Sequence, residues 1–166
     1  MFNKLTKQSS LQLGKYLVLY GAGGSNLCSA YMKITEDVIV DQTLYWTIVD
    51  SEDEAIYLSA MLNCPKLNDI ITIYQPQGLF GKRHIHTLPL EYIPVYNEDD
   101  YKMRLLVDYS KILIQELRDS LPCNLLNPNM GSLSSRRKKV INLISKLKCY
   151  DQYVSICEEI LVKSNN

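Results

Sequence analysis

The stretch Asp50-Ser51-Glu52-Asp53-Glu54 divides this chain into two kinds of sequence. Ser51 with Glu54 three residues later is a capping box, and the surrounding acids favour the positive end of a helix. Before it, apolar residues come in short branched or aromatic runs separated by turns, the signature of strands. After it they recur mostly at helical spacing. A chain built this way folds as α+β, with a small mixed or antiparallel curved sheet on which helices pack.

The first half supplies candidate strands at Lys15 to Tyr20, Leu27 to Ile34, Asp37 to Val40 and Thr43 to Val49. The helix begun at Ser51 runs to about Asn63, where Cys64-Pro65 ends it. A second helix, Pro65 to Tyr74, starts with proline in its first turn and places Leu67, Ile70, Ile71 and Tyr74 inward. Leu88 to Tyr96 reads as a strand that Pro89 and Pro94 confine to an edge or an extended surface path. Asn97-Glu98-Asp99-Asp100 caps a long helix reaching about Ser120, with Tyr101, Leu105, Ile112, Leu113 and Leu117 as its apolar stripe. Leu121 to Ser132 is rich in Pro, Asn and Gly. Two further helices, Leu133 to Leu147 and Tyr150 to Val162, form a C-terminal helical hairpin. The expected organisation is an α+β domain over 1–121, a linker over 122–132 and the hairpin over 133–166.

At 166 residues and 46% apolar content the chain is globular. Its formal net charge is zero, which argues against tight, autonomous, non-specific DNA coating. The charge is nonetheless polarised. Residues 1–81 carry 5 basic and 8 acidic side chains, and residues 82–166 carry 13 and 10. A docking module has such a layout. The five cysteines, at 28, 64, 123, 149 and 157, form no Cys-x-x-Cys pair. With no apolar leader behind Met1, free thiols in a reducing cytoplasm are expected. No run approaches the length of a membrane span.

The change of charge falls in Gln75-Pro76-Gln77-Gly78-Leu79-Phe80-Gly81-Lys82-Arg83-His84-Ile85-His86. Two glycines bracket a Leu-Phe pair and permit sharp turning or close approach to a ligand. Arginine and glutamine offer forked hydrogen bonds that fit phosphates and base edges. On these grounds Arg83 is a candidate bidentate donor and Lys82 a phosphate contact, with His84 and His86 auxiliary. Gln75 and Gln77 are candidate adenine readers, and Phe80 is an anchor for the loop. The competing reading is a solvated turn. Arg136, Arg137, Lys138 and Lys139 form a second basic run, read either as a further DNA contact or as a solvated helix face.

Enzyme readings find little support. Gly21-Ala22-Gly23-Gly24 follows a strand but breaks the Gly-x-Gly-x-x-Gly pattern, leaving a hairpin turn or a phosphate contact as alternatives. His84 and His86 are two ligands where zinc requires three or four, even allowing Cys64 or Asp69 to join. Glu52, Asp53 and Glu54 are explained as helix-capping acids. No catalytic residue, metal or cofactor is expected.

Taken in order, the blocks Val40 to Trp46, Asp53 to Pro65, Gly78 to Ile85 and Leu88 to Val95 resemble the C-terminal target-recognition region of N6-adenine DNA methyltransferases of restriction–modification systems. Glu54-Ala55-Ile56-Tyr57-Leu58 matches that family's helix, Leu62-Asn63 its corner, and Gly78-Leu79-Phe80-Gly81-Lys82-Arg83-His84-Ile85 its glycine-bracketed loop. Cys64 stands where the family usually has serine, and His84 where it usually has an acid. The resemblance spans Lys15 to Leu121 and implies recognition of double-stranded DNA. The Asn/Asp-Pro-Pro-aromatic tetrad that grips an extruded adenine is missing, Asn127-Pro128-Asn129-Met130 being a near miss. The resemblance therefore implies a non-catalytic specificity module that partners a methyltransferase catalytic domain or subunit. A protein–protein adaptor that never touches DNA is the alternative, favoured by the neutral charge and the amphipathic helices.

Overall fold

A computed structural model describes residues 12–23, 27–75, 77–78, 81–82, 92–122 and 132–163. Three strands, β1 (Tyr16–Gly21), β2 (Ser29–Lys33) and β3 (Leu44–Val49), form one sheet in the order β2-β1-β3. Both outer strands run antiparallel to β1. The helices α1 (Glu52–Leu62), α2 (Pro65–Tyr74), α3 (Tyr101–Ser120), α4 (Leu133–Ile144) and α5 (Tyr150–Lys163) complete an α+β fold.

Side chains alternate faces along a strand, and the register sorts them. Val18 and Tyr20 of β1 share a face with Tyr45 and Val49 of β3, and that face packs under α1. Tyr20 and Tyr45 are cross-strand partners whose ring centroids lie 5.4 Å apart. Leu17 and Trp46 occupy the opposite face with Ile34 and Val40.

That second face explains why the expected strand at Asp37 to Val40 does not form. Being antiparallel to the same central strand, β2 and β3 are parallel to each other, so the chain between them must cross back along the sheet. Residues 34–43 make this crossing, and Ile34, Val38 and Val40 are spent covering the outer face instead of extending the ladder.

The capping box forms as its residues dictate, with the Ser51 hydroxyl accepting from the Glu54 amide at 3.1 Å. Helix α1 turns at Asn63 into α2, and two asparagines fasten this corner to the sheet. The Asn63 side chain accepts from the Ser29 amide at 2.9 Å and donates to the Ser29 carbonyl at 3.0 Å, pairing with edge strand β2 as another strand would. Asn68 accepts from the Leu27 amide at 2.9 Å.

Only Leu67 and Ile71 of α2 are fully buried. Tyr74 is exposed, contrary to the inward stripe expected from spacing, because the last turn of α2 runs past the edge of the core. Helix α3 is rotated relative to expectation. Its buried stripe is Met103, Leu106, Val107, Ser110 and Leu113, while Tyr101 and Ile112 face outward. Ser110 sits in that stripe because its hydroxyl donates to the Leu106 carbonyl at 2.7 Å.

Tyr92 is helical and residues 93–96 are irregular, so none of them belongs to a strand. Ile93 inserts into the core. The Tyr57 hydroxyl donates to the Pro94 carbonyl at 3.0 Å, and the Tyr57 and Tyr96 rings lie 5.3 Å apart. These side-chain contacts hold a segment whose prolines suit it poorly to a ladder.

Helix α5 inserts Tyr153, Ile156, Cys157, Ile160 and Leu161 into the same core as β1 and α1. The Tyr153 hydroxyl donates to the Ala60 carbonyl at 2.7 Å in full burial. Lys102 pairs with Glu159, and Lys111 with Asp53 at 2.7 Å, joining α3 to α5 and to α1.

Candidate nucleic-acid interface

Beyond the end of α2 comes a second, two-stranded sheet: β4 (Gln77–Gly78) paired antiparallel with β5 (Gly81–Lys82). The register sets Gln77 opposite Lys82 and Gly78 opposite Gly81. Among the described residues this antiparallel pair is a sheet separate from the three-stranded one. It follows helix α2, whose start is held to the main sheet. Cys64 caps α2 in extended conformation, Pro65 opens the helix, and the Asn63 and Asn68 contacts fix its base to β2. Gln75 stands at the C-cap, half-buried.

Of the candidate contact residues, the hairpin brings Gln77 and Lys82 together through their backbone pairing, with Gln75 two residues before Gln77. Arg83, His84 and His86 lie outside the described residues, as do the Leu88–Pro89 part of the proline-containing run and most of the 122–132 segment.

The second basic run falls on α4, whose first turn is capped by the Ser132 hydroxyl accepting from the Ser135 amide at 3.2 Å. Consecutive helical residues point about 100° apart, so the four cations wrap round the helix instead of forming one stripe. Arg137, Lys138 and Lys139 are exposed and Arg136 is half-buried, its Nε in a buried position without a hydrogen-bond partner among the described residues.

The opposite polarity gathers where α1 and α3 begin. Ser51, Glu52, Asp53, Tyr96, Glu98, Asp99 and Arg104 line an open cavity of about 560 Å³. Four carboxylates against one arginine make this mouth repellent to phosphate. Lys111 does not offset it outward, because its ammonium is engaged by Asp53, which holds its pKa above the ordinary lysine value. Among the described residues no group of three His, Cys, Asp or Glu side chains is placed to hold a metal ion, and no helix is long and apolar enough to cross a membrane.

The resemblance placed Leu62-Asn63 at a corner, but the ties that Asn63 and Asn68 make to the sheet edge were not read from the sequence. An asparagine at a helix end, where its amide can mimic a backbone, was the available signal.

No family model matches the chain, and no curated protein matches it. Among solved structures, the Type IIL restriction-modification enzyme MmeI in complex with DNA is similar in fold over 94% of this chain, with a TM-score of 0.48 and 11% sequence identity. The chain spans 22% of the length of that one. At this TM-score and identity the likeness carries no argument about activity.

Proposed function

We propose that this chain is a DNA sequence-recognition module of an adenine-specific restriction–modification methyltransferase, without catalysis of its own. Double-stranded DNA is its ligand, and a methyltransferase catalytic domain or subunit is its partner. The observation that carries this reading is the antiparallel pairing of residues 77–78 with 81–82. A two-stranded ribbon fits the major groove, and this one sets a glutamine opposite a lysine immediately before Arg83, His84 and His86. The order of sequence blocks shared with target-recognition regions supports the same reading.

In this mechanism Lys82 and Arg83 contact phosphate or a guanine edge, and Gln75 and Gln77 read adenine through its N6 and N7 positions. His84 and His86 add auxiliary contacts. Arg136, Arg137, Lys138 and Lys139 contribute field more than register, since they ring their helix. The acidic mouth beside α1 repels nucleic acid and so helps orient the approach.

The test is a mobility shift with duplex DNA over a series of salt concentrations, with and without the methyltransferase. The expected result is binding that weakens steeply with salt, and loss of about tenfold or more in affinity in Lys82→Ala/Arg83→Ala. Binding by the variant equal to wild type refutes the assignment of the hairpin.

The adaptor reading keeps one observation in its favour: Ile73 and Tyr74, at the base of the hairpin, are 80% and 53% exposed. It predicts capture of the methyltransferase with no DNA shift in either protein, and loss of that capture in Ile73→Asp.

A further inference from the structure

One apolar side chain of α2 serves no part of the core. Leu67 and Ile71 mark the buried stripe of this helix. At about 100° per residue, Ile73 falls on the opposite side with Lys66 and Asp69, both exposed. Ile73 is 80% exposed, and Tyr74 beside it 53%. A single exposed apolar residue needs no explanation. Here two consecutive ones close the helix that delivers the chain to β4, and Gln77 follows Ile73 by four residues. Four residues of chain span at most about 14 Å, on the order of four base-pair steps along duplex DNA. Ile73 therefore lies within a few base pairs of whatever pair Gln77 reads. The last turn of α2 carries no basic side chain, and the helix dipole places partial negative charge there. That end has nothing to offer a phosphate, so what it gains from DNA is burial of apolar surface.

We propose that Ile73 reads the 5-methyl group of thymine in the major groove, a role that rests on the recognition of DNA proposed for the β4–β5 pair. The thymine methyl is the apolar group that the unmodified major groove displays, where the other base-edge groups donate or accept hydrogen bonds. An adenine–thymine pair shows N6 and N7 on the adenine and the methyl at the thymine margin. Gln77 suits the first two groups and Ile73 the methyl, so an amide and a hydrocarbon divide the chemistry of adenine–thymine pairs between them. Cytosine has only hydrogen where thymine has the methyl, and leaves Ile73 against water. Closing a methyl-sized group against the isoleucine is worth about fourfold in affinity. Ile73 is thus a specificity determinant for thymine, distinct from Lys82 and Arg83, whose contacts under the same reading are to phosphate or guanine.

The experiment selects duplexes from a randomised pool on the full chain, alone and with the methyltransferase, at low salt where phosphate contacts hold weak complexes. The recovered sequences are resynthesised with deoxyuridine in place of thymine, which removes only the methyl, and the two forms are compared by mobility shift. Wild type is expected to bind the deoxyuridine duplex about fourfold or more weakly. Ile73→Ala is expected to bind both forms equally, and Ile73→Val to keep most of the difference. Lys82→Ala/Arg83→Ala weakens both forms alike and keeps their ratio. Because Ile73 is exposed, Ile73→Ala is expected to unfold in urea at the wild-type midpoint, so that a lost preference is not lost folding. Equal wild-type affinity for the two forms overturns the role of Ile73 and leaves DNA recognition by the β4–β5 pair standing. A preference that persists in Ile73→Ala does the same. If the chain adds nothing to duplex retention, alone or with the methyltransferase, both fall. Loss of methyltransferase capture in Ile73→Asp, with no thymine preference in wild type, assigns the residue to a protein partner instead.

Discussion

Asn63 shows how one side chain sets the geometry of a region. Its amide satisfies both the amide and the carbonyl of Ser29 at the sheet edge, and Asn63→Ala leaves them to partial solvent. The expected cost is about 1–2 kcal/mol, read by urea unfolding. Trp46, the chain's single tryptophan, is fully buried and reports that transition by its fluorescence. Tyr153 makes a different prediction. Burial raises its pKa well above the usual phenol value, and burial also raises those of Tyr20 and Tyr57. A phenol whose folded-state pKa exceeds its unfolded value retains its proton longer in the native state. Its contribution is therefore complete below about pH 10 and is lost as pH rises beyond it. Unfolding free energy is expected to hold level from pH 7 to 9 and to fall above pH 10, with a shallower fall in Tyr153→Phe. That variant also loses the bond to Ala60, at about 1 kcal/mol at neutral pH.

At the scale of elements, local chemistry was legible where it acts locally. Ser51 and Glu54 marked the start of α1, Pro65 the start of α2, and Asp100 the cap of α3, where its carboxylate accepts from the Lys102 and Met103 amides. Ser51→Ala is expected to cost about 1 kcal/mol in the same urea assay. The phase of α3 was not legible, because Ser110 is polar by type yet satisfied within its own helix, and Tyr101 is apolar in bulk yet faces water. Nor was the fate of Asp37 to Val40, since its apolar residues suit a strand and only the topology of β2 and β3 shows that they must cross the sheet. The candidate site was proposed from a glycine-bracketed run of mixed basic and amide residues, of which Arg83, His84 and His86 lie outside the described residues. Its pairing of Gln77 with Lys82 required backbone register, which composition does not encode.

Cations are concentrated beyond residue 81 of the sequence, while the fold gathers carboxylates from both halves into an acidic mouth at the start of α1 and α3. Under the proposed recognition of DNA, a module of zero net charge draws its affinity from a small set of oriented contacts and from a partner that holds it in place, not from bulk attraction. Hydrogen exchange of backbone amides, with and without duplex DNA and the methyltransferase, addresses this most directly. The account predicts that DNA slows exchange in peptides covering residues 75–86 and leaves those covering Ser51 to Asp53 and Glu98 to Arg104 unchanged. Unaltered exchange over 75–86 at saturating DNA, or protection centred on the acidic mouth, would contradict it.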